Sequence, residues 1–161
     1  AHKYGFYGAD GGAGETLMVG DREEGFVFHI LSDPAGTSAI WAAQRIGDEH
    51  VAVIANMFTI REVNLSDSRN FLGSPNLHSV ALSHGLWDGK GLLDFTKAYS
   101  RGEYGSKYYS GRRMWDGLRH VKPSLTLPAE YGDLRVDMPY PWSVKPDHKV
   151  TPRSLLAAYR S

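Results

Sequence analysis

The sequence predicts an α+β fold, on three observations. Its first half is a series of apolar, β-leaning runs joined by short turns. Its second half turns to helical periodicity and proline-bearing loop. The whole is 161 residues, enough for one domain with a real core.

The strands come in order. Thr16–Gly20 is a short apolar run, and Asp21–Gly25 is a turn of charges closed by glycine. Phe26–Leu31 is a second run, followed by Asp33-Pro34-Ala35-Gly36, a turn with proline and glycine where a turn wants them. Ser38–Ile46 is a third run, Gly47–Glu49 a turn, and Val51–Ala55 a fourth. Runs joined this way predict an antiparallel meander, and apolar residues on both faces of most of them predict a sheet covered on both sides. Downstream, Asn76–His84 has helical spacing with Gly85 as its stop, and Asp94 caps a short helix to Tyr99. Ser110–Val121 reads as a helix despite Gly111. Thr126–Lys149 holds four of the eight prolines and little periodicity, so it is expected to wrap over a surface or a neighbouring chain. Ala1–Tyr4 reads as a last helical turn stopped by Gly5. Thr151 caps a final helix with Pro152 at its first position and no stop signal after it. Both ends therefore read as cut, which suggests a fragment or one piece of a processed chain. There is no internal repeat and no low-complexity segment.

Composition narrows the function classes. Lys+Arg and Asp+Glu both number 18, so there is no long-range attraction for nucleic acid and no basic run to track phosphates. No apolar stretch approaches the roughly 18 residues of a membrane span, and the N-terminus has no apolar signal core. Cysteine is absent, which removes disulfides, thiolate metal sites and a cysteine nucleophile within this chain. One N-x-S sequon, Asn64-Leu65-Ser66, matters only in a secreted protein. The seven histidines form no H-x-H, H-x-x-x-H or H-E-x-x-H pattern, so no metal is expected. His29, inside "FVFHI", reads as a hydrogen-bonded core or cleft residue. No G-x-S-x-G elbow exists, because Tyr108 stands two residues before Ser110. "GADGGAGE" matches no phosphate-loop fingerprint.

Three candidates remain from the residues. Glu15 is a carboxylate at a strand's mouth beside Gly14, either an exposed strand-end charge or a cleft residue. Arg112 and Arg113, near Tyr108, Tyr109 and Trp115, suit a carboxylate or a ring, or else form a solvated helix face. Asn56 follows the run Val51–Ala55, where asparagine is a poor strand and core residue. It either caps a turn or aims its amide N–H at the developing charge of a tetrahedral intermediate.

The motifs "GETLMVGDREEGFVFHIL", "AIWAAQRIGDEHVAVIANMFTIREVNL", "FLGSPNL", "YSGRRMW" and "YPWSVKPDHKVTP" together resemble the cysteine dipeptidase family of N-terminal nucleophile hydrolases, which includes bacterial dipeptidase A and the secernins. The resemblance runs in order from about Gly5 to Arg160. It implies a four-layer αββα sandwich of two packed antiparallel sheets between helices. Residues 1–161 would be one piece of a single such domain, its central part. The family's nucleophile is an N-terminal cysteine exposed by autoprocessing, with its own α-amino group as base. That segment is absent here, so it would lie upstream or on another chain. The resemblance further implies that Asn56 is the oxyanion donor and that Glu15 and Arg61, the latter in the family's "IRE", face substrate. Where the family's strand often reads Phe-Glu-Ile, this one has Phe28-His29-Ile30.

The expected function is dipeptide hydrolysis without a cofactor, with a small peptide and the remaining segments of the same protein as partners. Nucleic acid and membrane are not expected as partners, and a homo-oligomer stays open. Two alternatives are a non-catalytic, secernin-like binding or scaffold protein and an acylase or amidase of the same fold. The compartment stays open: cytoplasmic, or secreted or lysosome-like if a signal peptide precedes this segment.

Overall fold

A computed structural model describes residues 14–100, 110–126 and 141–158. The expectations for Ala1–Tyr4, for most of the glycine-rich lead-in, for Tyr108 and Tyr109, and for residues 127–140 lie outside these. The described residues form a mixed α/β structure with antiparallel pairing throughout, in two compact units. The first takes the chain up to Ile46 and Phe58–Ser100, and the second takes Gly47–Met57 and the chain after Ser100.

The first unit is built on a four-stranded sheet of β1 (Glu15–Gly20), β2 (Gly25–Ser32), β3 (Ala39–Arg45) and β6 (Phe71–Gly73), in the order β1-β2-β3-β6. Its two hairpins arise from aspartates at the turns. An Asp21 carboxylate oxygen accepts the N–H groups of Glu23 at 2.8 Å and Glu24 at 2.9 Å, closing β1 onto β2. Those backbone donors hold the Asp21 carboxyl below its ordinary range. Between β2 and β3, Asp33 accepts from the Thr37 N–H at 2.8 Å, and the Gly36 N–H donates to the Asp33 carbonyl at 3.0 Å. Gly36 sits at φ 68°, which a side chain disfavours.

The meander differs from expectation in its fourth strand. Val51–Ala55 does not join this sheet. Only Val51–Ala52 is strand (β4), and it pairs with β8 (Ser143–Val144) in the second unit. β6 takes the place beside β3, with Ala42 opposite Gly73 and Gln44 opposite Phe71. An apolar run shows that a segment is buried and extended but not which edge it meets, and the three-residue β6 is too short to show periodicity. Cover on both faces also holds only in the middle of the sheet. Val27, His29 and Ile30 of β2 and Ile40, Ala42 and Ala43 of β3 are buried, whereas the edge strand β1 leaves Leu17, Met18 and Val19 48–59% exposed.

β5 (Glu62–Val63) and β7 (Leu93–Asp94) form a small ribbon beside two helices, α1 (Leu77–Ser83) and α2 (Phe95–Tyr99). α1 buries Leu77 and Ala81, four residues apart on one face. It ends in a Schellman motif at Gly85: the Gly85 N–H donates to the Leu82 carbonyl at 3.1 Å and the Leu86 N–H to the Ala81 carbonyl at 2.9 Å. Gly85 lies at φ +67°. α2 begins where predicted, with Asp94 accepting from the Lys97 N–H at 2.9 Å.

In the second unit α3 (Ser110–Val121) buries Met114, Leu118 and Val121 along one stripe. α4 (Pro152–Ala158) has a reciprocal cap: Thr151 Oγ1 accepts the Ser154 N–H at 3.1 Å, and Ser154 Oγ accepts the Thr151 N–H at 2.9 Å. Among the described residues no helix is long and apolar enough to cross a membrane.

The Schellman glycine gives a direct test. Gly85→Ala places a Cβ in the left-handed region and is expected to cost about 1–2 kcal/mol, seen as a lower urea midpoint with unchanged far-ultraviolet circular dichroism. An unchanged midpoint would contradict this account of how α1 ends.

Candidate functional site

In the first unit, Glu15 precedes and Arg61 follows a residue bonded to a buried histidine. Glu15 opens β1 opposite Ile30 and is exposed. Its neighbour Thr16 stands opposite His29 across the β1–β2 pair. His29 is fully buried against the rings of Phe58 at 4.9 Å and Phe95 at 5.9 Å, which meet each other edge-on at 5.2 Å. Its Nε2 accepts backbone N–H groups from Thr59 at 2.9 Å and Ile60 at 3.3 Å. A nitrogen that accepts carries no proton, so the hydrogen-bond pattern assigns the proton to Nδ1, which donates to Thr16 Oγ1 at 3.0 Å. The Thr59 hydroxyl lies 3.2 Å from Nε2 on the same edge. Burial drives the imidazole pKa down to about 3, so the ring is neutral at physiological pH. His29 is thus a hydrogen-bonded core residue, the first of the two settings, core or cleft, that the sequence left open.

Arg61 comes directly after the segment that His29 holds. Its guanidinium pairs with Asp94 at 2.8 Å, both side chains being about one-fifth exposed. The backbone of the same segment receives the first N–H groups of α2: Phe95 donates to the Arg61 carbonyl at 2.9 Å and Thr96 to the Ile60 carbonyl at 2.9 Å. Thr96 Oγ1 also donates to the Ile60 carbonyl, at 2.7 Å. With Asp94 taking the Lys97 N–H, three otherwise orphaned donors of α2 are satisfied. Arg61 is therefore fixed by both its side chain and its carbonyl.

Asn56 belongs to the second unit and lies four residues beyond the end of β4, not at it. Val53 continues the pairing with a bond from its N–H to the Trp142 carbonyl at 2.7 Å. The chain then bends. The Met57 N–H donates to the Ala55 carbonyl at 2.7 Å, a three-residue γ-turn centred on Asn56. With no non-glycine residue at positive φ among the described residues, the turn is of the inverse, unstrained kind. The side chain is exposed, and its Oδ1 accepts from Arg113 Nη2 of α3 at 2.9 Å. Arg113 is 57 residues downstream, and no local spacing signals that partnership. The neighbouring arginines look elsewhere: Arg112 lies 3.7 Å from Asp116, and Arg119 stacks over Trp115 at 4.5 Å.

The chemistry on display is that of carboxylate, guanidinium and amide groups. Among the described residues no three His, Asp or Glu side chains converge to hold a metal ion.

The sequence profile of peptidase family C69 matches residues 2–158, and the chain belongs to that family. A probable dipeptidase of Salmonella dublin is 28% identical over 123 residues, covering 76% of this chain and 28% of that protein. A probable dipeptidase of Latilactobacillus sakei is 24% identical over 121 residues, covering 75% of this chain and 24% of that one. The chain spans about a quarter of the length of these curated relatives.

The buried histidine makes stability depend on pH. Its pKa is lowered on folding, so between about 6.5 and 3 the unfolded chain binds the extra proton. The contribution is complete above pH 6.5 and falls with acidification, by about 1.4 kcal/mol per pH unit in that window. His29→Gln, which does not titrate, is expected to show a correspondingly shallower acid loss in urea unfolding measured from pH 7 to 4. Equal slopes for parent and variant would refute the neutral, buried state.

Proposed function

We propose that the full-length protein is a dipeptidase-type hydrolase. The observation that carries this is the family match across residues 2–158, supported by relatives named as probable dipeptidases. In this reading the fold is a four-layer αββα sandwich to which residues 1–161 contribute one piece, and the nucleophile is an N-terminal cysteine on a segment outside them. Its thiolate attacks the scissile carbonyl after its own α-amino group takes the thiol proton. The carbonyl oxygen becomes an oxyanion. The tetrahedral intermediate then expels the amine, which takes up the proton, and leaves a thioester. Water hydrolyses the thioester through a second oxyanion.

Asn56 supplies an amide N–H to that oxygen. An amide donor helps only if its nitrogen faces the charge, because the carbonyl edge would repel it. Acceptance at Oδ1 from a guanidinium determines which edge is which. Glu15 and Arg61 serve the two charged ends of an unblocked dipeptide. The Glu15 carboxylate suits the free ammonium, and the five donors of Arg61 allow it to meet a carboxylate as well as Asp94.

The test is Asn56→Ala in the full-length protein. Loss of a transition-state donor is expected to lower kcat by about 10²–10³ with KM much less affected. Asn56→Asp should be at least as damaging, since it sets a negative charge beside the developing one. A turn residue without a catalytic role would instead cost about 1 kcal/mol of stability or less and leave kcat within threefold.

A further inference from the structure

We infer that Arg113 is a positioning residue for the Asn56 amide, aiming its N–H at the reacting oxygen from the face of α3. The inference rests on the reading of Asn56 as oxyanion donor.

Three observations converge on it. First, the 2.9 Å bond from Arg113 Nη2 to Asn56 Oδ1 joins residues 57 positions apart, so the fold and not local sequence creates it. Second, Asn56 sits at the centre of a γ-turn beyond the end of β4, exposed, where the strand ladder no longer constrains its side chain. An amide in that position needs an external partner to choose between its two flipped orientations. A guanidinium has donors and no acceptor, so it bonds only the oxygen edge. Third, α3 is brought close to this segment by a missing side chain. Gly117 lies four residues after Arg113, on the same helix face, and a Cβ there would stand 2.6 Å from Val53 Cγ1. Real side chains do not tolerate that separation. The glycine therefore admits Val53, three residues before Asn56, and one turn back along the helix Arg113 reaches the asparagine.

The arrangement does more than hold geometry. A charged donor on the oxygen of an amide polarises it and makes its N–H groups better donors. The guanidinium also adds positive potential on the side of the amide away from the oxyanion. Neither effect requires Arg113 to touch substrate.

A double-mutant cycle in the full-length protein tests the proposal, with alanyl-alanine and leucyl-glycine as probe substrates and released amino acid as the readout. Arg113→Ala is expected to lower kcat about 10- to 100-fold, the worth of a charged hydrogen bond, with little change in KM. In the Asn56→Ala background the same substitution should have almost no further effect on kcat, because it acts through the missing amide. Arg113→Lys, which keeps a donor but loses the planar fork, should recover part of the loss. Melting curves on each variant separate misfolding from lost alignment. Equal fold-losses from Arg113→Ala in both backgrounds would overturn the proposal, as would a kcat within threefold of the parent in the single variant. If Asn56→Ala itself leaves kcat intact, the oxyanion reading fails first and this inference goes with it. A parent protein inactive on both probes overturns the hydrolase reading on which both rest.

Discussion

The first unit depends on one neutral imidazole. His29 sits at the centre of β2 and reaches both ways, donating across the sheet to Thr16 and accepting from the backbone of Thr59 and Ile60. Backbone N–H groups in a dry interior must find acceptors, and here a side chain provides one where no strand is available. A carboxylate could also accept those N–H groups, but it would bring a charge into a site walled by Phe58 and Phe95. The neutral ring meets the same need without the charge, which is why burial holds it unprotonated.

The consequences spread along the chain from that point. With Thr59 and Ile60 pinned, the carbonyls of Ile60 and Arg61 face the start of α2 and receive its first N–H groups. A five-residue helix is far too short to stand alone. It persists because its first turn is capped by Asp94 and by this backbone, and because Phe95, Thr96 and Ala98 are buried. The Arg61–Asp94 pair then ties the side chain of one segment to the cap of the other. Being only partly exposed, it is screened less than a surface pair, and its value lies in placement more than in stability. Glu15 stands beside the same hub along β1, since its neighbour Thr16 is the partner of His29.

The second unit works by a different principle, close approach of a helix to an extended segment. Met114, Leu118 and Val121 give α3 its buried stripe, while Gly117 removes a side chain where Val53 comes nearest. The cost is a glycine inside a helix, roughly 1 kcal/mol against alanine. What it permits is Arg113 within hydrogen-bond distance of Asn56. Below α3, Asp147 accepts from the Ser124 N–H at 2.7 Å and lies 3.2 Å from Lys122 Nζ, joining the end of the helix to the segment after β8. The backbone donor of Ser124 is the main reason that this carboxyl stays below its usual range.

The sequence by itself determined the local features, because their causes are local. Asp21, Asp33 and Asp94 announce turns and a cap through side chains that bond backbone two to four residues away. Gly85 announces the end of α1 through the conformation that it alone adopts freely, and Thr151 with Pro152 announces α4. His29 declared itself a core or cleft residue by its apolar neighbours. Tertiary structure alone decided the long-range partnerships. Val51 and Ala52 are extended in either account, but the choice of β8 over the main sheet depends on where distant segments come to lie. β6, at three residues, carries no period to read. The exposure of Leu17, Met18 and Val19 depends on what packs against the faces of β1, which composition does not encode. Asn56 drew attention as a poor strand residue, but its Arg113 partner is reached only once α3 has packed against Val53. Periodicity and capping act over one turn of chain, whereas a hydrogen bond between residues 57 apart is specified by the fold.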